Sequence, residues 1–216
     1  MKKWIVLPVL FLSFLFAEEK FYVVLTFDDG PYPGYTEEIL EILKRHKIKA
    51  TFFVTGMWVE KHLELVKMID ENGHQIGLHG YRHIDYTKLS KKQVVDDLLK
   101  TKYIVEGIIG KNKIKYFRPP AGKINKIVKN SCAELGLKIV LWTIYPLDYG
   151  EKEAEKILYR IKKAKYKKYN VLLLHNGIKN TILVLDRIIS EIKNLGGKFV
   201  SLEELPNDFF KKSKIE

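Results

Sequence analysis

The chain has 216 residues, 46% of them hydrophobic, which suits one domain with a sizeable core and excludes a disordered body. Its 38 Lys and Arg against 26 Asp and Glu give a net charge of +12, so polyanionic surroundings are expected: anionic membrane, acidic wall polymer or nucleic acid. The single cysteine, Cys132, excludes an internal disulfide and reads as a small buried hydrophobe on a helix face beside Val128 and Leu135.

At the start, Lys2 and Lys3 precede an apolar run over residues 4–16, and Ala17 precedes Glu18-Glu19-Lys20. That run fits the core of a signal peptide and is short for a spanning helix. Leu15 stands where cleavage favours a small residue. Residues 1–17 are therefore expected to be a signal peptide or an N-terminal membrane anchor. Residues 18–216 form the exported domain, secreted, periplasmic or held at the cell envelope.

The apolar stretch 21–25 reads as a buried strand, and Asp28 and Asp29 sit where it ends, before the turn Gly30-Pro31. Neighbours on an extended segment point opposite ways, so the two carboxylates are expected to do different jobs. Thr36 can cap a helix running to 46. A strand over 51–54, a helix over 59–72 stopped by Gly73, and a strand over 75–78 follow. Then come a long helix over 91–107, a short strand at 116–117, a helix over 125–135 and a strand over 137–143. The pattern closes with a helix over 151–163, a strand over 171–174, a helix over 181–194 and a strand over 198–201. Seven strands alternating with helices predict a parallel α/β architecture in a single domain, whose chemistry gathers at the strands' C-terminal ends.

The polar residues that stand out occupy those ends: Asp28-Asp29, His79, Arg118, Asp148 and His175. His79 and His83 are four apart, so one helical turn or a tight helical loop lets both face one ion. With a carboxylate from another strand they form the three-ligand open site of a hydrolytic metal centre. His46, His62 and His74 lie on or beside helices and read as surface or capping groups. Trp142 reads as core or pocket wall, and Trp58 as a residue able to line a groove. The basic run 162–168, interleaved with Tyr166 and followed by Tyr169, lacks any recognition motif, so nucleic-acid binding is not expected.

Taken in order, Thr26-Phe27-Asp28-Asp29-Gly30-Pro31, His79-Gly80-Tyr81-Arg82-His83, Arg118-Pro119-Pro120-Ala121-Gly122, Tyr145-Pro146-Leu147-Asp148-Tyr149 and Leu173-Leu174-His175 resemble the five motifs of the polysaccharide deacetylases. These are the NodB-homology group, carbohydrate esterase family four, and the resemblance spans about residues 22–205. It implies a distorted (β/α)7 barrel of the TIM type. It also implies that Asp28 is the catalytic base, and that Asp29, His79 and His83 hold the metal. By the same resemblance Arg118 orients the base, His175 is the general acid paired with Asp148, and Leu173 lines the acetyl pocket. Ala121 and Tyr149 fall at substrate-binding positions. The chain departs from the family pattern at Gly80, where Ser or Thr is usual, and at Ala121, where an aromatic is. Tyr145 replaces an aspartate and Tyr149 a tryptophan.

The implied activity is removal of N-acetyl groups from an N-acetylated glycan such as peptidoglycan, a chitin-like oligomer or an exopolysaccharide, releasing acetate. One divalent ion is expected, zinc first and cobalt as an alternative, in a monomer. Two rivals stand beside this: an inactive carbohydrate- or wall-binding module of the same fold, and a deacetylase of an O-acetyl ester or small non-sugar amide.

Overall fold

The computed structural model describes residues 21–210. The expected leader at 1–17 lies outside them.

Strand β1 (Phe21–Asp29) is the centre of the sheet. It pairs in parallel with β2 (Thr51–Val54) through Thr26–Asp29, with β6 (Tyr169–His175) through Tyr22–Asp28, and with β7 (Gly197–Phe199) through Phe21–Val23. Beyond β2 the sheet continues through β3 (Gln75–Leu78), β4 (Tyr116–Phe117) and β5 (Lys138–Ile139), all parallel. The chain after β5 then bridges Ile144 to Leu172 of β6, so the sheet curls back on itself as a distorted barrel. Helices α1 (Tyr35–His46), α2 (Gly56–Lys61), α3 (Leu63–Glu71), α4 (Lys91–Ile109), α5 (Lys126–Glu134), α6 (Ala154–Lys163) and α7 (Lys179–Asn194) complete the single α/β domain.

The period-two pattern of β1 divides the core. Val23, Leu25 and Phe27 face the helices and join the larger apolar cluster with Ile39, Leu43, Ile188 and Ile189. Val24 faces the other way, into a smaller cluster with Phe53, Tyr116, Val140 and Val171, where Leu202, Leu205, Phe209 and Phe210 also pack. Each fully buried Leu, Val or Phe contributes about 1.5–3 kcal/mol. The interior cluster thus fixes the floor on which the polar ends of the strands rest.

Several boundaries differ from expectation for identifiable reasons. The helix over 59–72 is two helices, because His62 adopts φ −140°, ψ 56° between them. Strand five shrinks to Lys138–Ile139, since the chain past Ile139 leaves β4 and turns to β6. Thr36 does not cap α1, which begins at Tyr35 with Gly34 in the cap position. Its hydroxyl instead accepts the Tyr32 N–H at 2.9 Å and the Asn176 amide at 3.0 Å. His74 is neither surface nor cap. It is buried, its Nδ1 accepts the Ala50 N–H at 3.2 Å, and burial pushes its pKa down to about 4. Cys132 is buried as expected, with its thiol pushed up to about 12 by burial.

Candidate active site

Asp28 and Asp29 were expected to face opposite ways, and the backbone prevents it. Asp29 takes φ 82°, a left-handed conformation that abandons the strand's alternation and swings its carboxylate back toward its neighbour's side. Such strain in a non-glycine residue persists only where surroundings hold it. Here Thr55 Oγ1 donates to the Asp29 carbonyl at 2.9 Å. The His79 Nε2 consequently lies 3.7 Å from Asp28 Oδ2 and 3.4 Å from Asp29 Oδ1.

Asp28 is buried, and its Oδ1 accepts from Arg118 Nη1 at 2.6 Å. Arg118 is wholly buried just past β4. Its Nε donates to the Val140 carbonyl at 3.0 Å, its Nη1 also to Thr26 Oγ1 at 2.8 Å, and its guanidinium stacks 4.2 Å from the Phe53 ring centre. Burial lowers the Arg118 pKa, opposed by the Asp28 charge. An isolated charge at such depth would cost several kcal/mol, so the pair is held as a unit.

The His79–His83 segment is a bent loop rather than a helical turn. His79 Nδ1 lies 2.7 Å from the Arg118 carbonyl. Because a carbonyl only accepts, Nδ1 donates to it, and Nε2 is the ring nitrogen turned toward the two aspartates. His83 Nε2 reaches within 3.5 Å of Asp29 Oδ1. Asp29, His79 and His83 each offer a ligand atom, all within 4.8 Å of one another. Burial works to raise the Asp29 pKa, but the imidazoles, His79 foremost, outweigh it and hold the carboxyl below its ordinary value.

On the opposite wall, Asp148 is fully buried and receives three donors. The His175 backbone N–H reaches Oδ2 at 2.7 Å, Thr181 Oγ1 reaches the same oxygen at 2.7 Å, and His175 Nδ1 lies 2.9 Å from Oδ1. Burial alone would lower the His175 pKa, but the Asp148 hydrogen bond and charge overcome it and raise it. The Tyr145 and Tyr149 rings stand 5.9 and 5.3 Å from the imidazole.

One cavity of about 660 Å³ joins these groups, lined by Asp28, Asp29, His79, His83 and His175 together with Ala121, Tyr149 and Leu173. Every residue expected at the site thus lies on the cavity, except Arg118 and Asp148, which stand directly behind Asp28 and His175. Trp58 and Trp142 are walls of the same cavity, as is Tyr32. Sequence reasoning missed Tyr32, Thr26, Phe53 and Thr181. Thr26 was open to discovery, since it lies two residues before Asp28 on the same strand face.

A sequence profile described as polysaccharide deacetylase matches residues 17–140. The chain belongs to the polysaccharide deacetylase family. It is 35% identical to a peptidoglycan-N-acetylglucosamine deacetylase of Bacillus cereus, over 85% of this chain and 87% of that one. Among solved structures, a peptidoglycan N-acetylglucosamine deacetylase superposes with a TM-score of 0.79 at 34% identity, covering 84% of this chain and 86% of that one. A carbohydrate esterase family 4 pseudoenzyme from Bacillus anthracis superposes with a TM-score of 0.80 at 30% identity, covering 88% of this deacetylase-family chain and 66% of its own.

The donor set of two imidazoles and one carboxylate suits zinc or cobalt. Asp29 Oδ1 is also buried without a hydrogen-bond partner, an orphaned acceptor aimed at the space between the imidazoles. Both features fit a divalent ion.

Proposed function

We propose that this family member is an active, metal-dependent deacetylase of N-acetylated peptidoglycan sugars, exported to the cell envelope. The observation that carries the reading is one cavity flanked by the Asp29–His79–His83 triad, the Arg118-tethered Asp28 and the Asp148-tethered His175. The peptidoglycan substrate is supported by the activities that the relatives' names state. Export is supported by the charge and apolar pattern of residues 1–17.

Asp29, His79 and His83 would hold the ion, which supplies Lewis-acid polarisation of an amide carbonyl and acidifies water at neutral pH. Asp28 takes the proton from the attacking water. Its Oδ1 is committed to Arg118, so Oδ2 is the oxygen that works as base. The Arg118 tether fixes that oxygen's direction. His175 gives its proton to the sugar nitrogen as the C–N bond breaks, because an amine leaves far more readily than its anion. With Nδ1 bound to Asp148, Nε2 is the nitrogen that delivers. Leu173 and the aromatic side chains shield the acetyl group from bulk water. Water and the amide become acetate and a free amino sugar.

The inactive-module reading draws support from the pseudoenzyme neighbours and from Tyr145 and Tyr149 in the fourth motif. Acetate release from purified peptidoglycan and from chitin oligomers, with and without a chelator, decides between them. Chelator-sensitive release is expected. Glycan binding with no release in the presence of added zinc or cobalt would establish the module.

A further inference from the structure

The metal-ligand loop has an unusual residue at its second position and an unusual partner facing it. Gly80 adopts φ 84°, and a β-carbon there would overlap the Tyr86 hydroxyl and come within 3.0 Å of its ring. A hydroxylated side chain at position 80 and Tyr86 in its present place are therefore mutually exclusive. Tyr86 is fully buried, and its hydroxyl donates to Asp97 of α4. The same Asp97 oxygen accepts the backbone N–H of Tyr81 at 2.8 Å.

The backbone of the loop is otherwise held from one side. The Gly80 carbonyl accepts the Gly56 N–H at 2.9 Å and the Tyr81 carbonyl accepts the Met57 N–H at 3.0 Å, both from the start of α2. His79 is fixed through its ring to the Arg118 carbonyl. Between His79 and His83, the bond to Asp97 is the one that ties the loop's N–H groups to α4. Without it, the Tyr81 N–H and the buried Tyr86 phenol would both lose the acceptor they share.

We infer that Asp97, acting with Tyr86, is the positioning residue that sets the spacing of His79 and His83 for a divalent cation, in place of a side chain at position 80. The inference rests on the metal reading above. Asp97 touches neither ion nor substrate. It acts by fixing the peptide between the two ligands, so its loss lets His83, the more exposed imidazole, drift from Asp29. Groups that orient metal ligands from behind are typically worth about 10–100-fold in metal affinity.

The test is zinc affinity of the full protein, measured by chelator competition and independent of turnover. Asp97→Ala is expected to weaken zinc binding about 10–100-fold. Asp97→Asn, whose carbonyl oxygen still accepts both bonds, should recover most of that loss. Gly80→Ser, which drives its β-carbon into Tyr86, should weaken binding as Asp97→Ala does. Asp96→Ala, which removes the exposed carboxylate paired with Lys92 one residue before Asp97 on α4, should leave zinc affinity unchanged. If Asp97→Ala does not fold, Asp97→Asn and Gly80→Ser carry the comparison. Zinc affinity within twofold of wild type in the folded Asp97→Ala or Gly80→Ser variant overturns the inference. A wild type that binds no zinc or cobalt would instead overturn the metal reading, and this inference with it.

Discussion

Arg118 Nη1 lies 2.6 Å from Asp28 Oδ1, with both side chains shut off from solvent at the mouth of the barrel. The contact occupies one carboxylate oxygen and leaves the other free for the role of base proposed above. It also explains why Thr26 and Phe53 matter, since they complete the cage around the guanidinium. Arg118 Nη2 has no hydrogen-bond partner among the described residues, so the cage has no spare acceptor to take over if Asp28 is lost.

The first prediction follows from that division of labour. Asp28→Asn keeps the shape and an oxygen for Arg118 while discarding the basicity. General-base catalysis is typically worth ~10²–10⁴-fold. Turnover should fall by that factor while zinc affinity stays near wild type, as read from acetate release and metal titration. Wild-type turnover in this variant would remove Asp28 from the role of base.

The ligand triad makes the opposite pattern. His79→Ala with His83→Ala leaves a single carboxylate ligand, and Asp29→Asn replaces a charged donor with a neutral one. Both variants should lose metal and turnover together, with the fold kept by far-ultraviolet circular dichroism. About one ion per chain is expected in the wild type. Full metal content in the double variant, measured by elemental analysis, would refute the assignment.

A pH dependence follows from His175. Its raised pKa lets it keep its proton above the ordinary imidazole value, so the acid proposed above is in place at neutral pH and is lost as pH rises through the raised value. Asp148→Asn removes the partner that does most to raise the pKa and leaves burial opposed only by the charges of Asp28 and Asp29. The alkaline limb of kcat/KM should therefore move to lower pH. The sign for stability is the same. The His175–Asp148 pair contributes fully below the unfolded value of about 6.5 and fades as pH rises through the folded value. Urea titrations across that window should show the wild type losing part of its advantage over Asp148→Asn.

Much of this was readable in the chain because strand ends in parallel α/β folds gather the chemistry, and five motifs occupied those ends. The strands themselves were legible from runs such as residues 171–174. What could not be read was the set of places where tertiary contacts override local pattern. Alternation at Asp28-Asp29 failed because a left-handed residue ends β1. The fifth strand shortened because Ile144 is captured by β6, a partner 28 residues away. His74 looked like a helix-end group, and only the packing of Ala50 and Phe52 against it shows a buried acceptor. Asp97 and Tyr86 carry no motif at all, and their meaning exists only once Tyr86 packs against Gly80 and bonds to Asp97.

The last prediction joins packing to catalysis through Gly77. Its position on β3 faces the barrel interior, where an added β-carbon would come within 2.6 Å of the Phe53 ring and 3.2 Å of the Tyr116 carbonyl. The carbonyl belongs to a paired strand and cannot yield, so the ring must move. Phe53 is the surface on which the Arg118 guanidinium rests, and Arg118 in turn aims Asp28. Overpacking of this kind costs about 1–3 kcal/mol. Gly77→Ala should therefore lower the melting temperature moderately and lower kcat at temperatures where the variant is fully folded. Zinc affinity should hold, because the displaced ring touches Arg118 rather than the triad. A variant that is destabilised yet turns over at the wild-type rate would show that Arg118 keeps its aim without Phe53, and would sever packing from catalysis at this point.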